Sequence, residues 1–129
     1  MKPRQVLQLV FILNALVSIA AAILLFVSPA AIPAVIGISL QSDQYFLPRL
    51  LGAAEFAVAA ACLMAVYQPS RATYSLCVAM LIVFHAGSIM AGVMESMAHS
   101  NMTIAINKGV RSVMIVLLLV FHVLGHRSG

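Results

Sequence analysis

An acid, an imidazole and a guanidinium, Glu55, His85 and Arg111, stand in stretches of sequence that are otherwise almost wholly apolar. An ionisable side chain in apolar surroundings is costly unless it turns inward and finds a partner, so such residues mark either a structural clamp or a working site. An acid beside an imidazole can pass a proton or protonate a substrate. An arginine paired with that acid weighs against the acid as a proton donor. Arg49 and Ser18 extend the set by a second guanidinium and a hydroxyl. Three chemistries follow: a charge-neutralised clamp, a ligand pocket, or a proton relay.

What must position these residues is a set of four apolar runs, 6–27, 46–67, 73–94 and 103–124. Each is about 22 residues long, and ~20 residues of helix cross the ~30 Å of a hydrocarbon slab. With alternating helix directions and ~1.5 Å of rise per residue, Glu55 lies about 18 Å from one end of the stack. His85, Arg111 and Ser18 each lie about 20 Å from that same end, and Asn14 a turn lower. The helical faces agree. Gly52, Glu55, Ala59 and Cys62 form one stripe, His85, Ser88, Gly92 and Glu95 another, and Arg111, Ile115, Leu118 and His122 a third. The small residues suit close helix packing in lipid.

The predicted fold is therefore all-α, an integral membrane antiparallel four-helix bundle spanning residues 1–129 as one domain. Of the 129 residues, 64% are hydrophobic and 8% charged, far from the half and the quarter of a soluble domain. So few charges cannot make a water-facing surface, which makes lipid the medium. The net charge of +4 is scattered, without a basic cluster interleaved with aromatics, which excludes nucleic acid as a partner. Lys2 and Arg4 ahead of an apolar stretch imitate a signal peptide, but that stretch is too long for one and reads as an uncleaved first span. The linker 29–44 carries Pro29, Pro33 and Gly37 and is expected to lie at the interface. Gln68-Pro69-Ser70-Arg71 reads as a tight turn, 95–102 as a longer loop and 126–129 as a tail. Lys2, Arg4, Arg71 and Arg127 gather on one side, which places both termini in the cytoplasm.

Other candidate ligands are weaker. Met94, Met97, His99 and Met102 offer soft donors suited to Cu(I), though flexible apolar packing explains methionine equally well. Haem held by His85 and His122 is excluded by a depth mismatch of roughly 15 Å. Cys62 and Cys77 are equidistant from the Pro69-Ser70 turn and read as small core residues at one depth. A phosphate-binding glycine loop, CxxC, HExxH and GxSxG are all missing, so no cofactor and no catalytic residue is expected.

The segment Phe46-Leu47-Pro48-Arg49-Leu50-Leu51-Gly52-Ala53-Ala54-Glu55, with its Arg-x-x-Gly opening, follows a first helix ending in proline and a glycine-bearing linker. With His85 midway along the third helix, it resembles the DoxX-like small four-helix membrane proteins of bacteria. The resemblance implies a multi-pass protein of the bacterial inner membrane. Some DoxX-like proteins are subunits of quinone-linked oxidoreductases, but no residue here carries that chemistry over. The function expected is a small non-enzymatic accessory or hydrophobic-ligand-binding protein. It would sit in the lipid bilayer, with a membrane protein subunit or a second copy on the alanine-rich face 57–61 as a further partner. The alternative is a small-molecule transporter or membrane enzyme using an outward-facing pocket at Arg49, Glu55, His85 and Arg111.

Overall fold

The computed structural model describes residues 2–98 and 101–127. The long helices are α1 (Pro3–Val27), α3 (Phe46–Tyr67), α4 (Arg71–Ala98) and α5 (Met102–Arg127), and the linker contains the short α2 (Ala31–Val35) and a 3-10 turn at Ser42–Gln44. All four long helices have the length and hydropathy to cross a membrane. No strand occurs among the described residues.

Local chemistry sets the helix ends. Pro3 opens α1, where its missing N–H costs nothing, and the Gln5 side chain accepts a hydrogen bond from the Lys2 N–H at 2.9 Å. Pro29 follows the C-terminal cap Ser28. Gly37, at φ +84°, takes the left-handed turn that ends the α2 region. Ser70 caps α4, its Oγ accepting from the Thr73 N–H at 3.0 Å. The loop expected over 95–102 begins later, because α4 continues to Ala98. Glu95-Ser96-Met97-Ala98 lacks hydrophobic density but contains no helix breaker, so the helix continues past the apolar run.

Each long helix buries one stripe. On α1 it is Leu7, Val10, Phe11, Asn14, Ala15, Ser18, Ala22 and Leu25, a repeat of three and four. α1 packs most extensively on α3 and α4 on α5, α1 meets α5 less closely, and α3 and α4 touch less again although only a short turn joins them. The close approach of α1 and α3 depends on Gly52, where a Cβ would come within 3.1 Å of the Phe26 ring and 3.2 Å of the Leu25 Cβ. Gly92 plays the same part for α4 and α5, with the Lys108 stem lying over it and the ammonium donating to the Ser96 Oγ at 3.1 Å.

The dry core lies towards the α3–α4 turn. Leu7, Phe11, Ala59, Cys62, Ala65, Tyr74, Cys77, Val78, Leu81 and Leu118 form it. Arg4 ties the first turn of α1 to this end, donating to the Pro69 carbonyl at 2.6 Å and lying 5.1 Å from the centre of the Tyr74 ring. Outside the core the long helices show large apolar side chains, including Val17, Leu76 and Val83. α5 is the least covered of the four.

Candidate functional site

Beyond the dry core the helices part. The buried stripe of α1 continues as Asn14 and Ser18, that of α3 as Glu55, and that of α4 as His85. α5 brings Arg111, half-buried, to the same place. The gap among them is a cavity of about 350 Å³ lined by Leu13, Asn14, Val17, Ser18, Glu55, Phe84, His85, Asn107, Val110, Arg111 and Met114. That volume is at the small end of the range that ligand sites occupy.

The cavity is polar at the bottom and mostly apolar at the mouth, where Asn107 is the exposed polar exception. Asn14, Ser18, Glu55 and His85 are each at most 7% exposed. Leu13, Val17 and Val110, from α1 and α5, are 49, 68 and 60% exposed and belong to the outer surface of the molecule. The opening therefore lies between α1 and α5, with Glu55 of α3 and His85 of α4 behind it.

Arg111 organises the polar part. Its Nε donates to the Asn107 Oδ1 one helical turn away at 2.6 Å, its Nη1 lies 3.2 Å from the His85 Nδ1, and its guanidinium stands 5.5 Å from the centre of the Phe84 ring. A guanidinium has only donors, so the His85 Nδ1 accepts and the ring proton sits on Nε2. That Nε2 is fully buried and makes no hydrogen bond among the described residues. Among the described residues the Glu55 carboxylate likewise accepts no hydrogen bond and has no cationic nitrogen within 4.0 Å. Glu55 and Arg111 line the same cavity without an ion pair between them. Asn14 satisfies its own amide by donating to the Val10 carbonyl at 2.9 Å, with the Met114 sulfur 3.6 Å away. A donor at His85 and an acceptor at Glu55 are thus left without a hydrogen-bond partner among the described residues.

Four residues singled out in the sequence, Ser18, Glu55, His85 and Arg111, line this one cavity. Arg49 does not; it is exposed on the first turns of α3. The direct Glu55–Arg111 contact of a clamp is replaced by separation across the cavity, because α3 and α5 stand on opposite sides of it. Asn107, Phe84 and Met114 were not singled out. Asn107 is four residues from Arg111 on one helix, the spacing at which such a pair meets, and was the legible one.

The remaining candidates lie elsewhere. Met94, Met97 and Met102 are well exposed, and His99 lies outside the described residues. No group of three or more His, Cys, Asp or Glu with metal-binding proximity occurs among the described residues. Cys62 and Cys77 meet in the dry core with their sulfurs 4.0 Å apart, both as free thiols. His122 is half-buried on α5 and does not line the cavity. No family model matches the chain, and no curated protein or solved structure resembles it.

Proposed function

We propose that this chain is a multi-pass membrane protein that binds a small molecule in the cavity at Glu55, His85 and Arg111 and performs no chemistry on it. The observation that carries the reading is the Glu55 carboxylate, which is buried without a hydrogen-bond donor among the described residues and shares a 350 Å³ cavity with His85 and Arg111. A buried polar group without a partner costs about 1–3 kcal/mol, more when charged. A ligand that donates to the Glu55 carboxylate recovers that energy.

The same proposal includes an antiparallel bundle in the bacterial inner membrane, both termini cytoplasmic. Its support is the breadth of apolar surface on the four long helices, and the gathering of Lys2, Arg4 and Arg71 at the end where Arg4 meets Pro69. Kinship with DoxX-like proteins belongs to it as well, resting on Phe46–Glu55 and His85. Transport or catalysis through Arg49, Glu55, His85 and Arg111 is less favoured, since Arg49 does not reach the cavity.

Native mass spectrometry of protein released from its own membranes in mild detergent tests the binding. Wild type is expected to carry a small adduct that Ser18→Phe, which fills the cavity from α1, does not. Bare spectra from both proteins would refute the reading.

A further inference from the structure

We infer that the ligand is a neutral lipid bearing a hydroxylated headgroup, and that it enters sideways from the bilayer between α1 and α5. The inference rests on the binding function proposed above and names its substrate class and its route.

The route follows from where the apolar residues are. A cleft that takes solutes from water has a wettable mouth. Here the mouth is mostly Leu13, Val17 and Val110, at 49, 68 and 60% exposure, with the exposed Asn107 amide beside them and Ser18, Glu55 and His85 buried behind. All three residues are in the interior of α1 or α5, helices with the length and hydropathy of membrane spans. In a bilayer that mouth meets acyl chains. A water-soluble ligand would have to shed its hydration and cross hydrocarbon to reach it, at several kcal/mol per polar group. An amphipathic molecule already in the leaflet brings only its head inward and leaves its chain among its neighbours.

The head is defined by what the floor lacks. Glu55 offers only acceptors, and Arg111 only donors. His85 is taken up at Nδ1 by Arg111, and its Nε2 has no accessible surface. The ligand must therefore donate to Glu55 and accept from Arg111. The formal charges of Glu55 and Arg111 cancel, so an anionic head would leave one negative charge in excess in a medium that screens poorly, and a cationic head one positive charge. A neutral group with both donors and acceptors fits, and vicinal hydroxyls beside an ester carbonyl provide both. At about 350 Å³ the cavity holds such a head with the first few carbons of a chain, and the rest must leave through the mouth.

The test uses full-length protein in phosphatidylcholine nanodiscs and a monoacylglycerol with a diazirine near its ester. Labelling is expected on segments 13–18 and 107–114. It should fall about tenfold in Val17→Trp, which blocks the mouth from a lipid-facing position, and by a similar factor in Glu55→Gln, which removes the charged acceptor. Excess unlabelled monoacylglycerol should compete, while free glycerol and an anionic lysophosphatidic acid should not. Unchanged labelling in a folded Val17→Trp overturns the lateral route; if that variant does not fold, Val110→Trp replaces it with the same criterion. Competition by free glycerol, or preference for the anionic lipid, overturns the ligand class. If the monoacylglycerol does not label while a small polar adduct still distinguishes wild type from Ser18→Phe, binding stands and this inference fails. Failure of both experiments removes both.

Discussion

The charges of Glu55 and Arg111 face one another across a cavity without touching, and their coupling has a calculable size. Coulomb's law at an effective dielectric constant of ~20 gives about 4 kcal/mol for unit charges 4 Å apart and about 2 kcal/mol at twice that distance. No cationic nitrogen among the described residues lies within 4.0 Å of the Glu55 carboxylate, so the first figure is a ceiling. The perturbation is a double-mutant cycle of Glu55→Gln and Arg111→Met. Each single change leaves one unbalanced charge, and Arg111→Met also removes the contacts at 3.2 Å to His85 and 2.6 Å to Asn107. Glu55→Gln is expected to destabilise by about 2–3 kcal/mol and Arg111→Met by more, since hydrogen bonds from a charged group contribute about 1.5–3 kcal/mol each. The double variant should be less destabilised than the sum by roughly 2 kcal/mol. Unfolding in mixed micelles, followed by circular dichroism, measures all four corners. Additivity within about 0.5 kcal/mol would show that the two charges do not share a site.

The other expectations concern packing. Gly52→Val drives a side chain into Phe26 and Leu25 and should cost about 1–3 kcal/mol in the same unfolding assay, while Gly87→Ala, where a Cβ meets nothing within 4 Å, should be neutral or stabilise slightly. Cys62 and Cys77, 4.0 Å apart, should close to an intramolecular disulfide under copper–phenanthroline, so that maleimide in SDS finds no reactive thiol in wild type and one in Cys77→Ser; two reactive thiols after oxidation would contradict the placement of α3 against α4. Arg4→Ala, losing an exposed bond to Pro69 and the Tyr74 ring contact, should cost no more than about 1–1.5 kcal/mol.

The helices were legible in the sequence because apolar runs, prolines and the Ser70 cap delimit them from within. The shared level of Ser18, Glu55, His85 and Arg111 was legible for a related reason: helices of fixed rise act as rulers, so equal counts from a common end give equal depth. Azimuth and separation were not. Arg49 precedes Glu55 by six residues on α3, and those six residues turn it out of the cavity. Whether Glu55 touches Arg111 depends on how far α3 and α5 stand apart, which is set by Gly52 drawing α3 onto α1 and Gly92 drawing α5 onto α4. The cavity is what remains between those two tight pairs. No single residue announces it. Asn107 was passed over because an exposed amide on a helix looks like ordinary surface until Arg111 is seen leaning on it.

The whole account depends on His85 facing Arg111 inside the bundle while both are surrounded by lipid. Solid-state NMR on bilayer-reconstituted protein with nitrogen-labelled histidine and arginine, assigned by loss of signal in His85→Gln, measures this. A bare Nδ1 and a protonated Nε2 at His85, with dipolar contact to the Arg111 guanidinium consistent with 3.2 Å, is the result expected. An imidazole protonated at Nδ1, without arginine contact and relaxed by a lipid-dissolved paramagnet, would contradict it.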